Sequence, residues 1–311
     1  MIALPDAAPA RLFGAFVALG LSIATGACSS STAGATGTAK DGGAPTVDAD
    51  DGDAEAGPAC SQGCQPTSLM DATCVASVQA SLVDTTGAPI VGQPLLVCGD
   101  NLCSLPGVTN SGGSTQFFLC EQMILPALKL IGGPAYVSFA SAVTQENTMF
   151  APITVFAYPA TGAAFPTGAG TVTSGPVSLQ VAAGAVKFDS SQPDDANTKS
   201  FRAAQVDVTK LPVPLPSSVT LPVVWGLAPV NATLTPPGTL SIPNTAMWAA
   251  GAKVDLYQNG VDPIAGAAVP YGQWGSVGTG TVSADGSTIT SDTGAGNGIS
   301  ILSMVGARLA Q

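Results

Sequence analysis

The sequence predicts an all-β protein: two tandem β-sandwich modules that follow a signal peptide and a disordered tether. Three observations carry that expectation. The 311 residues include 37 Gly and 25 Pro, and only 9% are charged, a usage that favours short strands and turns over helices. Short apolar runs recur between Gly and Pro clusters along most of the chain. Of the seven cysteines, six fall between Cys60 and Cys120 and none follows, so one module is cross-linked and the next must rely on its core. A chain of this length accommodates two ordinary domains.

The first element is an address. Leu12 to Ile23 is an apolar run preceded by Arg11; it is too short for a bilayer core, which takes about 20 helical residues, and suits the apolar region of a secretory signal. It closes on Thr25-Gly-Ala-Cys28. That ending resembles the lipobox of bacterial lipoproteins, with Thr25 where the family usually has Leu, Val or Ile. The resemblance implies cleavage before Cys28, diacylglyceryl transfer to its sulfur and membrane attachment. Ser29 in the next position implies, by the same resemblance, sorting to the outer membrane. The other reading is a plain secretory signal with Cys28 an ordinary thiol. Cysteine parity bears on the choice, because lipid on Cys28 leaves Cys60, Cys64, Cys74, Cys98, Cys103 and Cys120 able to pair completely. Residues 1–27 are therefore assigned to the signal.

Residues 28–59 form the tether. Ser, Thr, Gly and Ala dominate, Val47 is its only branched apolar residue, and Asp41, Asp48, Asp50, Asp51, Asp53 and Glu55 stand against Lys40 alone. Such a segment buries too little to offset its ordering entropy, and as a coil it spans roughly 30 Å. The run from Asp48 to Asp53 lacks the Glu that an EF-hand loop needs at its twelfth position, which is Ala59, so it reads as a solvated acidic linker.

Residues 60–146 form the first module. The chain has no His, and exported thiols form disulfides, so three disulfides are expected and no metal site; six cysteines allow 15 pairings and the sequence does not choose among them. Ala76, Val78, Ala80 and Leu82 alternate with Ser77, Gln79 and Ser81 as a half-buried strand. Asp84 to Pro89 is a turn, Pro94 to Cys98 a short buried strand, Thr109 to Ser114 a turn into a strand from Thr115, and Ala135 to Ala140 a last strand. Met123 to Ile131 is interrupted by Pro126 and is expected to be irregular or strand. The order of Asp84-Thr-Thr-Gly-Ala-Pro89, Gly92, Thr109-Asn-Ser-Gly-Gly113 and Phe117-Phe118 resembles the carboxypeptidase-regulatory-like family over about 60 residues. That resemblance implies a prealbumin-type β-sandwich with an accessory role.

Residues 147–311 form the second, cysteine-free module. Strands are expected at Pro152 to Tyr158, Val177 to Ala182, Ala204 to Val208, Val219 to Trp225, Leu240 to Ile242, Lys253 to Tyr257, Gly280 to Val282 and Ile299 to Met304. Asn259-Gly260 and Asp285-Gly286 each suit a type I′ hairpin turn. The run Leu234 to Pro243 with Tyr271-Gly-Gln-Trp274 and Gly278 to Gly286 is similar to strand segments of ZU5-like bacterial surface proteins. Lys210 to Pro216 reads as an edge strand or loop in preference to a polyproline ligand. Trp225, Trp248 and Trp274 are core or rim residues, or else a sugar-stacking face.

These features exclude several chemistries. Without His there is no imidazole acid–base group, no Ser-His-Asp triad and no zincin motif. Net charge is −11 and the nine Lys and Arg are scattered, so nucleic acid is not an expected partner. Gly294 to Gly298 reads as a loop, not a phosphate cradle. Asp194-Asp195 is the only adjacent carboxylate pair beyond the tether and reads as solvated. Asp285 and Asp292 serve turns, with loop-bound calcium as the alternative. The reading that results is a non-enzymatic lipoprotein of the bacterial cell envelope, with no catalytic residue and no cofactor, attached to the membrane by its lipid and binding an envelope protein or glycan. The alternative is a glycan-binding module or a carboxylate-based glycan enzyme.

Overall fold

The computed structural model describes residues 72–190, 193–263, 268–294 and 297–311. The chain there is built from strands, with one short 3₁₀ turn at Val208–Lys210 and no α-helix among the described residues. In the first half the strands are β1 (Ala72–Val83), β2 (Pro94–Cys98), β3 (Gly107–Val108), β4 (Ser114–Ile124), β5 (Ala127–Leu130), β6 (Phe139–Ala142), β7 (Asn147–Met149) and β8 (Ile153–Thr154). Then come β9 (Gly170–Ser174), β10 (Val177–Val181), β11 (Val186–Lys187), β12 (Arg202–Gln205), β13 (Val223–Ala228) and β14 (Thr233–Pro243). The last are β15 (Lys253–Asn259), β16 (Trp274–Val282), β17 (Thr288–Ser291), β18 (Ile299–Ile301) and β19 (Met304–Leu309).

Two small sheets make a sandwich. One runs β4-β1-β7 with β8 also on β1, and the other runs β3-β2-β5-β6. The inward residues of β1 and β4, Val78, Ala80, Leu82 and Phe117, share a buried cluster with Leu95 and Val97 of β2, Leu128 and Leu130 of β5, and Phe139 of β6. Period-2 alternation along β1 produces this, since every second side chain faces the partner sheet. Asp84 closes the β1 turn: its Oδ1 accepts from Thr86 N at 2.8 Å, Thr86 Oγ1 at 2.6 Å and Ala88 N at 3.0 Å. Asn110 does the same before β4, accepting from the N–H groups of Gly112 and Ser114. β7 and β8 pair in parallel with β1, so the sandwich also takes strands from just beyond residue 146.

The third sheet is nearly a barrel. Its order is β12-β13-β19-β15-β16-β17-β14-β10-β9, with β11 and β18 added on β14. The two ends of the path approach each other, and Ala203 N on β12 donates to Ser174 Oγ on β9 at 2.9 Å. Val172, Leu179, Phe201, Val223, Trp225, Leu227, Leu256 and Val305 are among the side chains of a second buried cluster that fills the interior.

Sandwich and barrel meet along β13, whose six residues are all buried. Val223, Trp225 and Leu227 face the barrel interior, while Val224 and Ala228 belong to the sandwich cluster together with Met304 and Trp274. The continuous run Val-Val-Trp-Gly-Leu-Ala follows from burial on both faces. Gly226 makes the approach possible, because a Cβ there would stand 2.3 Å from Val137 Cγ1.

Several expected elements differ in detail. β15 does reach Asn259, but β16 begins only at Trp274; Asn259 and Gly260 do not form a tight turn because the Asn259 side chain is wholly buried and bonded to the sandwich. The Asp285-Gly286 hairpin is present between β16 and β17. Only Gly286 has positive φ, at 73°, so the turn is not type I′; Asp285 instead spends its carboxylate on Ser283 and Ser287. The segment after Pro126 forms β5, with Leu125 at φ 48° turning the chain out of β4. Ile299 to Met304 is two strands, divided at Leu302 and Ser303.

Candidate functional site

The junction of sandwich and barrel is polar at its centre and holds the two bodies in one orientation. Asn259, at the end of β15, accepts from Ala140 N at 3.0 Å and donates to Ala140 O at 2.9 Å and to Gln273 O at 3.2 Å. In effect its amide continues the sheet beyond β6. Beside it, Lys129 on β5 donates from Nζ to Val261 O at 2.7 Å. Burial pushes the Lys129 ammonium down to about 8, against the opposing pull of Asp189 and Asp262. Tyr271, buried in the same contact, has its phenol pushed up, first by burial and then by Asp262. A cavity of about 190 Å³ adjoins this cluster, lined by Gln258, Asn259, Asp262 and Ser300 among others.

Part of the outer face of the β4-β1-β7 sheet is open to solvent, whereas Ala76 and Gln122 on β1 and β4 are buried. Register places Phe118 opposite Ser77 and Gln116 opposite Gln79, with Asn147 and Met149 opposite the same two β1 residues on the other side. Residues paired across strands share a face, so Phe118, Ser77 and Asn147 form one row and Gln116, Gln79 and Met149 the next. Ser81 and Ser114 form a third row. Phe118 is 69% exposed and Met149 75% exposed. The polar groups are partly organised: Ser77 Oγ donates to Asn147 Oδ1 at 2.7 Å, and Ser81 and Ser114 hydroxyls stand 2.7 Å apart. None of these eight side chains is charged. Phe117-Phe118 was visible in the sequence as a strand signal; the alternation that sends Phe117 into the core sends Phe118 out, and this outward aromatic was the signal missed.

Each predicted site residue has a definite place or lies outside the described residues. Cys98 and Cys103 form a disulfide with S–S 2.06 Å. Cys74 on β1 and Cys120 on β4 are also disulfide-bonded and pack beside Ala76. Cys28, Cys60, Cys64 and the tether lie outside the described residues. Trp225 and Trp274 are core residues, 6% and 5% exposed, and Trp274 Nε1 donates to Val213 O at 3.3 Å. Trp248 packs on the barrel cluster with its backbone held by Asn244. The three tryptophans therefore share no surface. Lys210 ends the 3₁₀ turn and Leu211 to Pro216 is a loop, within which Val213 is buried in the sandwich core.

The loop carboxylates are occupied by turn chemistry. Asp195 accepts from Thr198 N and Oγ1, and Asp194 pairs with Lys199 at 2.5 Å. Asp292 accepts from Thr279 and Thr281 hydroxyls and from Lys253. The Ser283 hydroxyl, then Ser287, hold Asp285 down to about 2. No group of three metal-ligating side chains occurs among the described residues. The chain matches no family model, no curated protein and no solved structure.

Proposed function

We propose that this chain is a non-enzymatic lipoprotein of the bacterial cell envelope, held to the outer membrane by lipid on Cys28 and acting as a displayed binding or structural module. The tether of residues 28–59 supplies reach, the disulfide-bearing sandwich and the barrel supply the displayed body, and no cofactor takes part. The observation that carries the reading is the interlock of the body. One buried cluster joins β1, β2 and β5 to β13, β16 and β19, and Asn259 ties the two parts by hydrogen bonds. Side chains fill the barrel interior, which suits a rigid scaffold presenting its outside better than a carrier holding cargo. The resemblance of residues 60–146 to carboxypeptidase-regulatory-like modules implies the same accessory role.

Phase partitioning of membranes from cells expressing the full chain tests it. The wild type is expected in the detergent phase and a Cys28→Ser variant in the aqueous phase. Detergent partitioning that survives Cys28→Ser contradicts lipid anchoring at this residue.

A further inference from the structure

We propose that Cys74 and Cys120 are not bonded to each other but to Cys60 and Cys64, one to each, so that two disulfides staple the end of the tether to β1 and β4. Cys60 and Cys64 lie outside the described residues. The assignment follows from the geometry of the two strands that carry their partners. Cys74 and Cys120 are both disulfide-bonded, and Cys98 and Cys103 are bonded to one another. The cysteines left are Cys28, Cys60 and Cys64. Cys28 carries lipid in the proposed function, and the inference rests on that reading for setting it aside.

The ladder separates Cys74 from Cys120. Register sets Cys74 opposite Gln122 and Ser77 opposite Phe118, with a shift between Val75 and Ser77. Three steps along β1 therefore match four along β4, and Leu119 and Cys120 share the place opposite Ala76. Cys120 is thus a diagonal neighbour of Cys74, two residues from the latter's own partner. Diagonal Cα atoms across a ladder lie about 7 to 8 Å apart, beyond the roughly 6.8 Å that a disulfide spans. The bonded pair in this sandwich shows the contrast: Cys98 and Cys103 face each other across an isolated bridge, with their Cα atoms 4.0 Å apart. Cys120 also holds a left-handed backbone, φ 51°, a conformation that a non-glycine residue keeps where its surroundings impose it.

Burial agrees with partners arriving from outside the ladder. Cys74, Ala76 and Cys120 form a cluster of their own, apart from the sandwich core. Ala76 and Gln122 are buried, whereas Phe118 further along the same sheet is exposed. The covered end is the end at which the chain enters β1. Cys64 precedes Cys74 by ten residues, a length that extends to about 33 Å, so Cys60 and Cys64 can both double back to reach β1 and β4. The consequence is mechanical: the pull of the lipid tether reaches the central strand and its neighbour together, and does not peel β1 from its free end.

Each bond forms by thiol–disulfide exchange in the oxidising compartment to which the chain is exported. Two thiols give up two protons and two electrons, and a disulfide-bearing oxidant leaves as its dithiol.

Mass mapping of the full chain in detergent tests this, after alkylation of free thiols and without reductant. Cleavage before Asp53, Asp71, Asp84, Asp100 and Asp189 puts Cys60 and Cys64 in residues 53–70, Cys74 in 71–83, Cys98 in 84–99, and Cys103 and Cys120 in 100–188. Residues 53–70 are expected to be joined to both 71–83 and 100–188 and to be released by reduction alone. Their release beforehand, closed on themselves by a Cys60–Cys64 bond or alkylated at both cysteines, overturns the proposal. In a Cys60→Ser, Cys64→Ser double variant, Cys74 and Cys120 should both become open to alkylation; continued protection of the two would mean that they bond each other. Free 53–70 with lipid on Cys28 overturns the staple and leaves the anchor standing. A disulfide from Cys28 to Cys74 or Cys120 overturns both.

Discussion

The side-chain amide of Asn259 and the backbone of Ala140 form a two-way hydrogen-bonded pair, N–H to Oδ1 at 3.0 Å and Nδ2 to O at 2.9 Å, across 119 residues of sequence. Asn259 is fully buried, so truncating it strands an N–H and a carbonyl without water. Asn259→Ala is expected to cost about 2 to 4 kcal/mol, read as a lower midpoint in guanidinium unfolding. Because the sandwich core includes barrel residues, fluorescence and circular dichroism should follow one common transition. A loss within a few tenths of a kcal/mol, or two separated transitions in the wild type, would count against the interlock.

The contact of Gly226 with Val137 predicts a compensating pair. Gly226→Ala adds a methyl where Val137 Cγ1 would be 2.3 Å away and should destabilise by about 1 to 3 kcal/mol through overpacking. Val137→Ala in the same chain should recover part of that loss. Thermal unfolding of the two single variants and the double variant gives the coupling directly, and strict additivity would contradict the contact.

Lys129 predicts the sign of a pH effect. Its folded-state value is depressed by burial to about 8 from an ordinary 10.5, so between those limits the unfolded chain binds more protons than the folded one. Stability contributed by this group therefore rises as pH climbs through that window, and below it the penalty is constant. Urea unfolding at pH 7.5, 8.5 and 9.5 should show a more positive slope in the wild type than in Lys129→Met. Equal slopes would mean the ammonium is not desolvated.

Much of this was legible in the sequence, for physical reasons that can be named. From Ser77 to Leu82 β1 alternates because one of its faces meets the opposing sheet, and Pro94–Cys98 is readable as a short buried run; a bulge between Val75 and Ser77 breaks the pattern and sends Ala76, which alternation alone places with Val78 and Ala80, to pack beside Cys74 and Cys120 instead. β9, Gly170–Ser174, was not anticipated: its one branched apolar residue, Val172, sits among Gly, Thr and Ser, a composition that reads as loop until β10 pairs with it. The fate of Asn259-Gly260 was equally hidden. A dipeptide that favours tight turns was overridden by a tertiary hydrogen bond to residue 140, which no local pattern contains. The exposed face is half legible: alternation fixes that one of Phe117 and Phe118 points outward, and the parallel pairing of β7 with β1, invisible locally, puts Met149 on the same face two strands away.

The disulfide between Cys98 and Cys103 closes a loop of sequence separation 5. A loop that short constrains the unfolded chain modestly, so replacing both cysteines with Ala should cost about 2 kcal/mol. Peptide mapping without reductant should recover this pair as one cross-linked fragment, and free thiols at both positions would contradict it.

The most direct test of the anchored-module account is mass spectrometry of the mature amino-terminal peptide from membranes. The account predicts a first residue of Cys28 bearing a diacylglyceryl group. A mature chain that starts elsewhere, or that retains Cys28 with an unmodified sulfur, would contradict it.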